Sequence, residues 1–180
     1  MTKPPDIELL DTGIRVGDER IDTLAPGAAQ RLRELFGPVV ASYVFPGVGR
    51  VAQLLASGLI LLLDEETDAI KSLMVCFDAE DASPYPAFSE VPIFTAAIEF
   101  GGHRIGGPEL ESSLLRIPGV SKMAGLVRLK IGELNIGLHT KKRRGRFGKR
   151  TGPRRLVLLN AEWGGVKQLG FPGAPTGRKG

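Results

Sequence analysis

Short apolar runs broken by glycine and proline are the feature that most restricts how this chain can fold. The 180 residues include 24 glycines and 13 prolines. This composition favours short strands and tight turns over long helices. Because 42% of the residues are apolar, the chain can still bury a core, removing about two-thirds of its unfolded surface from water.

Two segments have the signature of short helices. Pro26 opens the first, and Gly37-Pro38 ends it; Pro108 opens the second, which runs to about Arg116. Proline suits a first helical turn, where its missing N–H costs nothing. We therefore predict an α+β fold, with two short helices and antiparallel sheets, forming a single domain over residues 1–163.

The remaining apolar runs predict strands. Turn residues separate them, and Gly17 supplies the positive φ that a tight hairpin needs. Residues 50–57 fit either a short helix or a loop, residues 78–92 a loop, and residues 164–180 a flexible tail rich in glycine and proline. The predicted strands are residues 7–10, 13–16, 21–24, 39–45, 59–63, 70–77, 93–100, 103–105, 126–131, 134–139 and 156–163.

One hairpin pattern occurs twice. Residues 14–21 and 98–105 are identical at four of eight aligned positions, and each is followed by a predicted helix and by strands joined through one strongly charged turn. The pattern predicts two pseudo-repeats, residues 7–90 and 91–163, with charged turns of opposite sign in equivalent places. The alternative is chance, since a hairpin followed by a helix is a common arrangement.

Residues 141–155 form the most charged stretch, with nine Lys or Arg and no acid. Because the whole chain has a net charge of +4, the other 165 residues carry a net charge of −5. Glycines and a proline interrupt the stretch, so we predict a long, mobile hairpin loop. Its cations are Lys141, Lys142, Arg143, Arg144, Arg146, Lys149, Arg150, Arg154 and Arg155.

The charged turn of the first half is acidic. We predict that it joins two strands and, with the basic stretch, forms the partner-binding surface of the protein. Its carboxylates are Asp64, Glu65, Glu66 and Asp68.

Candidates for catalysis are weak. Cys76 lies in an apolar strand, where a buried thiol is inert. His103 lies in a turn, and nearby Lys141 favours the neutral form of His139. One cysteine and two histidines cannot supply a four-ligand zinc site. We therefore expect no enzymatic activity, cofactor or metal, and we interpret Glu109 and Glu111 as helix-start carboxylates.

Three interpretations of the basic stretch remain open. It could be a solvated loop, as most charge runs are. It could bind nucleic acid by neutralising phosphates, with Phe147 stacking on a base, although the acidic body would repel a long polyanion. It could dock onto an acidic protein surface, where complementary charge speeds encounter.

The N-terminal residues contain no apolar run of signal-peptide length, and the longest apolar stretch, residues 54–63, is too short to cross a bilayer. From the sequence we expect a cytoplasmic protein without membrane contact.

The order of these segments resembles an uncharacterised bacterial domain found among immunity proteins of polymorphic-toxin and type VI secretion systems. The resemblance covers about residues 7–163. It rests on a GIRVGDERI hairpin, a helix ending LRELFGP, a strand at residues 42–45, the run SGLILLLDEETDAIKSLMVCFD, and a last strand ending in Trp163. It implies a non-enzymatic protein that neutralises a cognate toxin or effector, and it carries no catalytic residues; residues 141–155 are longer and more basic than that family leads one to expect.

The leading hypothesis is therefore a protein-binding module, an immunity protein acting through charged loops. The alternative is a nucleic-acid-binding protein that uses residues 141–155. A hydrolase without a recognisable motif, and self-association between the basic stretch and the acidic turn, are further hypotheses. The oligomeric state stays open.

Overall fold

The protein is described by a computed structural model over residues 3–78, 85, 88, 90–123, 126–144 and 148–164. Two short helices and mostly antiparallel strands confirm the predicted α+β fold. The elements are β1 (Ile7–Leu10), β2 (Gly13–Val16), β3 (Glu19–Ile21), α1 (Ala28–Phe36), β4 (Val39–Phe45), β5 (Arg50–Leu55), β6 (Leu59–Asp64), β7 (Ile70–Cys76), β8 (Ile98–Phe100), β9 (His103–Ile105), α2 (Glu111–Leu114), β10 (Ser121–Met123), β11 (Leu126–Ile131), β12 (Leu134–Arg144) and β13 (Arg150–Glu162).

These strands form two sheets. The small sheet has the order β3-β2-β1-β8-β9, and the large sheet has the order β10-β11-β12-β13-β7-β6-β5-β4. Strands β1 and β8 run parallel, with Ile7 opposite Ile98 and Leu9 opposite Phe100; the other pairings are antiparallel. The indole nitrogen of buried Trp163, just after β13, donates a 2.9 Å hydrogen bond to the carbonyl of Leu10, which ties the large sheet to the small one.

The main core fills the space between the large sheet on one side and the small sheet and helices on the other. Leu32 and Phe36 of α1 and Leu114 of α2 are buried in it. Apolar residues on one face of a short helix produce this packing. The helices therefore cover only one face of the large sheet, as expected for an α+β fold.

A second, smaller core lies on the opposite face of the large sheet. Strand β6 faces both cores, with Leu59, Leu61 and Leu63 in the main core and Ile60 and Leu62 in the second. Such two-sided burial explains why this strand is continuously apolar. The aromatic rings of Tyr85 and Phe88 belong to the second core, 5.7 Å apart and edge to face.

The order of elements repeats along the chain. A hairpin, a helix and a four-stranded meander occur first as β2 to β7 and again as β8 to β13, and β1 has no counterpart among the described strands. Ile14 pairs with Ile21 in the first hairpin, and Ile98 pairs with Ile105 in the second, 84 residues further along. The two meanders meet through their last strands, which pair antiparallel, as two related halves would around an approximate two-fold axis.

Four predicted segments and one missed strand need correction. Of the strand predicted at residues 21–24, only Ile21 lies in a strand, β3. Residues 50–55 are neither helix nor loop, since they form β5, a strand paired on both sides by β4 and β6, and only residues 56 and 57 lie in a turn. Strand β8 is shorter than predicted, because residues 93–97 lie outside the ladder. Helix α2 has only four residues, since Leu110 is extended and bridges to Arg155. Strand β10 was missed, because its three residues are all exposed and lack an apolar pattern.

Candidate functional site

Residues 141–144 and 149–155, which we call the basic ribbon, extend the hairpin of β12 and β13 beyond the rest of the large sheet. Lys141 pairs with Arg155, Lys142 with Arg154, and Arg144 with Arg150. The prediction of a hairpin is correct, but the prediction of a mobile loop is wrong for these residues, because they are paired strands. The intrinsic β-strand preferences of these charged residues and glycines did not indicate strands. Here the strands form because hydrogen bonds join β12 to β13.

Two irregularities shape this hairpin. The first lies opposite His139 and Thr140, where Val157 is an extra residue on β13. A bulge re-aims the residues that follow it. This explains how Val157 and Leu158 both enter the second core, while Leu156 and Leu159 enter the main core. The second lies between Lys142 and Arg143, where Gly152 and Pro153 are extra residues on β13.

The base of the ribbon is fixed by Glu111, the first residue of α2. Its carboxylate accepts hydrogen bonds from Arg154 Nε at 2.9 Å and Lys122 Nζ at 2.6 Å, and a further one from the buried Thr140 hydroxyl. Arg154 also donates to the backbone carbonyl of Thr140. The backbone N–H of Leu156 donates to the carbonyl of Glu109 at 2.7 Å, so the segment before α2 supports the same strand.

These contacts change the proton affinity of Glu111. Burial raises the pKa of the carboxyl, but the hydrogen bonds from Lys122 and Thr140 and the nearby positive charge outweigh burial, so the pKa lies below its ordinary value. Only 12% of this side chain is exposed. Glu111 is therefore an ionised, nearly buried anchor, which goes beyond the helix-start role predicted for it.

The predicted cations of the ribbon have different roles. Arg154 is paired with Glu111, so its charge is partly neutralised. Arg146 and the predicted stacking residue Phe147 lie outside the described residues, Arg144 ends β12, Lys141 is half-buried, and the guanidinium of Arg150 donates to the carbonyl of Lys142. The other described cations have exposed side chains: Lys142, Arg143, Lys149 and Arg155.

In the acidic turn between β6 and β7, two of the four predicted carboxylates are structural. Asp64 accepts hydrogen bonds from the backbone N–H groups of Glu66 and Thr67 and from the Thr67 hydroxyl, which lower the pKa of Asp64. Asp68 accepts a 3.2 Å bond from Arg33 of α1. Glu65 and Glu66 are exposed, so they are the carboxylates of this turn that face solvent.

The two charged turns lie at opposite ends of the large sheet. Strand β7 runs antiparallel to β13, with Ser72 opposite Glu162 and Cys76 opposite Leu158. The acidic turn, just before β7, is therefore near the end of β13, whereas the ribbon is at its beginning. The 13 residues of β13 span ~40 Å at about 3.3 Å per residue, so the two turns cannot act as one continuous surface of a single chain.

The candidate catalytic residues have environments that reduce their reactivity. Burial raises the pKa of Cys76 to about 12, so its thiol stays protonated near neutral pH. Burial lowers the pKa of His139, and Lys141 and Arg128 lower it further, in the direction that the sequence predicted. His103 is half-buried at the start of β9. In the described part of the chain, no three His, Cys, Asp or Glu residues are grouped so that they could hold a metal ion.

No protein-family model, curated protein or solved structure matches this chain. Neither described helix is long and apolar enough to span a membrane.

Sequence reasoning missed the role of Glu111 as the anchor of the ribbon. Glu111 and Arg154 are separated by 43 residues, and neither helical nor strand periodicity relates positions so far apart. The available signal was one carboxylate in a short helix near a stretch with an excess of cations, and this also fits a helix-start residue.

Proposed function

We propose that this protein is a non-catalytic binding module whose basic ribbon docks onto an acidic surface of a protein partner, as an immunity protein does with its cognate toxin or effector. The observation that carries the proposal is a cationic ribbon whose base is fixed to the body through Glu111, Thr140 and Arg154. A pre-ordered charged surface loses less conformational entropy on binding than a mobile loop does.

The charge distribution favours a protein partner over a long polyanion. The exposed, described cations, Arg150 among them, stand on a ribbon. Its paired strands extend only ~16 Å, at about 3.3 Å per residue. The rest of the molecule is acidic overall. A compact acidic surface can contact the ribbon alone, whereas a long nucleic acid would also pass over the repelling body.

The first test neutralises four exposed cations of the ribbon and leaves Arg150, whose guanidinium donates to the carbonyl of Lys142. Each product of the genes adjacent to this one is co-expressed with the native chain or the variant, and co-purification measures binding. If that product is toxic, a growth-rescue assay measures protection. Loss of electrostatic steering should slow association with the partner by roughly 10-fold or more. Because the substitutions are on the surface, they should change the free energy of unfolding by less than about 0.5 kcal/mol. The substitutions are Lys142→Gln, Arg143→Gln, Lys149→Gln and Arg155→Gln.

The matched control removes the same number of positive charges from exposed positions outside the ribbon. We expect this variant to bind and protect nearly as well as the native chain. Docking through the ribbon is contradicted if both variants lose binding equally, or if the ribbon variant binds as well as the native chain. The control substitutions are Lys3→Gln, Arg20→Gln, Arg116→Gln and Lys130→Gln.

A nucleic-acid-binding function is the second candidate, because the basic stretch is a two-stranded ribbon, an element that can enter a DNA major groove. The same two variants test it with a short DNA duplex and a single strand. If this candidate is correct, the native chain binds at low salt, and log affinity falls linearly with log salt. The ribbon variant should then reduce that slope by up to about 4, or about 1 for each lost phosphate contact. No binding at low salt rejects it.

A further inference from the structure

Strand β4 ends the large sheet and pairs only with β5 among the described strands. It has seven residues, Val-Val-Ala-Ser-Tyr-Val-Phe, with no charge among them. Val40 and Val44 are 55% and 51% exposed. A long, uncharged edge strand with exposed β-branched residues offers its unpaired backbone groups to another strand. Strand β4 has one register shift against β5, at Val40, and the residues from Ala41 to Phe45 pair without interruption.

The opposite edge of the sheet is protected by its short length and by a charge. Strand β10 has only three residues, and Lys122 is its central residue. A short edge with a central cation is a poor template for further pairing. The two edges therefore differ, and an association that uses β4 would not continue through β10.

The sequence of β4 is self-complementary about Ser42. In an antiparallel pair of identical strands centred on this residue, Ala41 lies opposite Tyr43 of the other copy, and Val40, the residue at the register shift with β5, lies opposite Val44. Pro38 and Pro46 lie at equal distances from the centre, and each ends the ladder because proline has no N–H to donate. Such pairing brings exposed valines together on one face and places no like charges opposite each other.

We propose that two copies of this chain associate through β4, in antiparallel register about Ser42, to form a closed two-fold dimer with one continuous sheet. A two-fold contact of this kind uses the same surface on both copies, and it therefore closes at two. This inference does not depend on the proposed function, since β13 and its ribbon lie four strands away from β4 in the large sheet.

Sedimentation equilibrium of the native chain is the first test. We expect a species with twice the 19.3 kDa mass of one chain, and little change between low and high salt, because the contact is apolar and made of backbone hydrogen bonds. A native chain that remains a monomer at the highest attainable concentration overturns the proposal and leaves the edge to a strand from another protein. A dimer that dissociates as salt rises also overturns it, and indicates contact between the ribbon and the acidic turn.

The register is tested by placing charges at the two exposed valines. Val40→Lys with Val44→Lys should give a folded monomer, as should Val40→Glu with Val44→Glu, because like charges then face each other across the interface. Mixing these two variants should restore a dimer. The single-chain variant Val40→Lys with Val44→Glu should also dimerise, since each lysine then faces a glutamate of the other copy.

A parallel pairing would give the opposite result for that last variant, because position 40 would then face position 40 of the other copy. Met123→Lys on the β10 edge, where Met123 is 64% exposed, is the matched control and should leave the dimer unchanged. Circular dichroism verifies that each variant is folded. A dimer that survives the double lysine substitution, or mixed variants that stay monomeric, would show that β4 is not the contact.

Discussion

At the scale of single residues, the same side chain has opposite consequences at two buried positions. The hydroxyl of Thr140 donates to Glu111, whereas the buried hydroxyl of Thr23 has no hydrogen-bond partner among the described residues. Thr140 is 6% exposed and Thr23 is 1% exposed. The cost of a buried hydroxyl depends on whether its hydrogen bond is made.

We therefore expect Thr23→Val to raise the free energy of unfolding by about 1 kcal/mol, because it removes an unsatisfied polar group of similar size. Thr140→Val should lower that free energy by about 1–3 kcal/mol, because it leaves Glu111 with fewer donors. Urea unfolding of the two variants beside the native chain measures both changes. If both substitutions destabilise the protein to the same extent, the hydroxyl of Thr23 has a hydrogen-bond partner.

The stabilising effect of Glu111 should depend on pH. Its folded-state pKa is lower than the ordinary value of 4.5, so its carboxylate stabilises the folded state above that pH. This stabilisation is lost as pH falls from 4.5 through the folded-state pKa. Near neutral pH, Glu111→Gln should lower the free energy of unfolding by about 1.5–3 kcal/mol, the usual contribution of a hydrogen bond to a charged group.

Unfolding curves of Glu111→Gln and of the native chain, taken from pH 7 into the acid range, measure this effect. The difference in free energy of unfolding between the variant and the native chain should stay constant above the pH range in which carboxyl groups ordinarily titrate. It should shrink below that range. Glu133→Gln, which changes an exposed carboxylate in the turn between β11 and β12, is the control and should show little difference at any pH. A difference for Glu111→Gln that does not change with pH would show that packing, and not ionisation, anchors the ribbon.

At the scale of elements, the turn between β5 and β6 limits how the sheet meets the segment before β8. Gly58 has a φ of +90°, and a Cβ there would lie 2.3 Å from the carbonyl oxygen of Pro92. Gly49 also has positive φ, at +63°, but a Cβ there would meet no atom within 4 Å. The two positions separate backbone strain from steric contact.

Gly58→Ala should destabilise the protein by about 2–5 kcal/mol, the sum of backbone strain and overpacking. Gly49→Ala should cost only the backbone strain of about 1–2 kcal/mol. Chemical denaturation measures both values. Equal losses in the two variants would mean that residues 92–94 do not press against the turn.

At the scale of the whole molecule, the charges and the open edge are in different places. The ribbon and the acidic turn lie at opposite ends of the large sheet, and β4 lies at one of its sides. Contacts between the ribbon of one copy and the acidic turn of another would join molecules head to tail, and such contacts can extend without closing. Pairing through β4 closes at two copies and leaves both ribbons accessible.

Much of the local structure could be predicted from the sequence. The strands β1, β2, β4, β9 and β11 have the predicted bounds, because alternating or β-branched runs lie between turn residues. The first helix is confirmed but begins at Ala28, two residues after Pro26, because Gly27 is its N-cap. Strand β5 was not predicted, since Arg50 and Gln53 interrupt its apolar pattern and only its two neighbours make it a strand.

The candidate site could be predicted only in part. The number of cations and their position between two apolar runs were evident from the sequence, as was the opposite sign of the two charged turns. The sequence did not indicate which cations remain exposed, because Arg154 contacts Glu111 only when α2 packs beside β13. The same is true of Asp64 and Asp68, whose hydrogen bonds depend on the turn and on Arg33 of α1.

The amino-acid sequence by itself determined the class of fold, the presence of only short helices in the described chain and the separation of charge along the chain, because these depend on local spacing and composition. Tertiary structure alone decided that the basic stretch is a paired ribbon, that Glu111 anchors it, that the charged turns lie far apart, and that β4 ends its sheet. Each of these depends on contacts between residues distant in sequence, which no local pattern encodes.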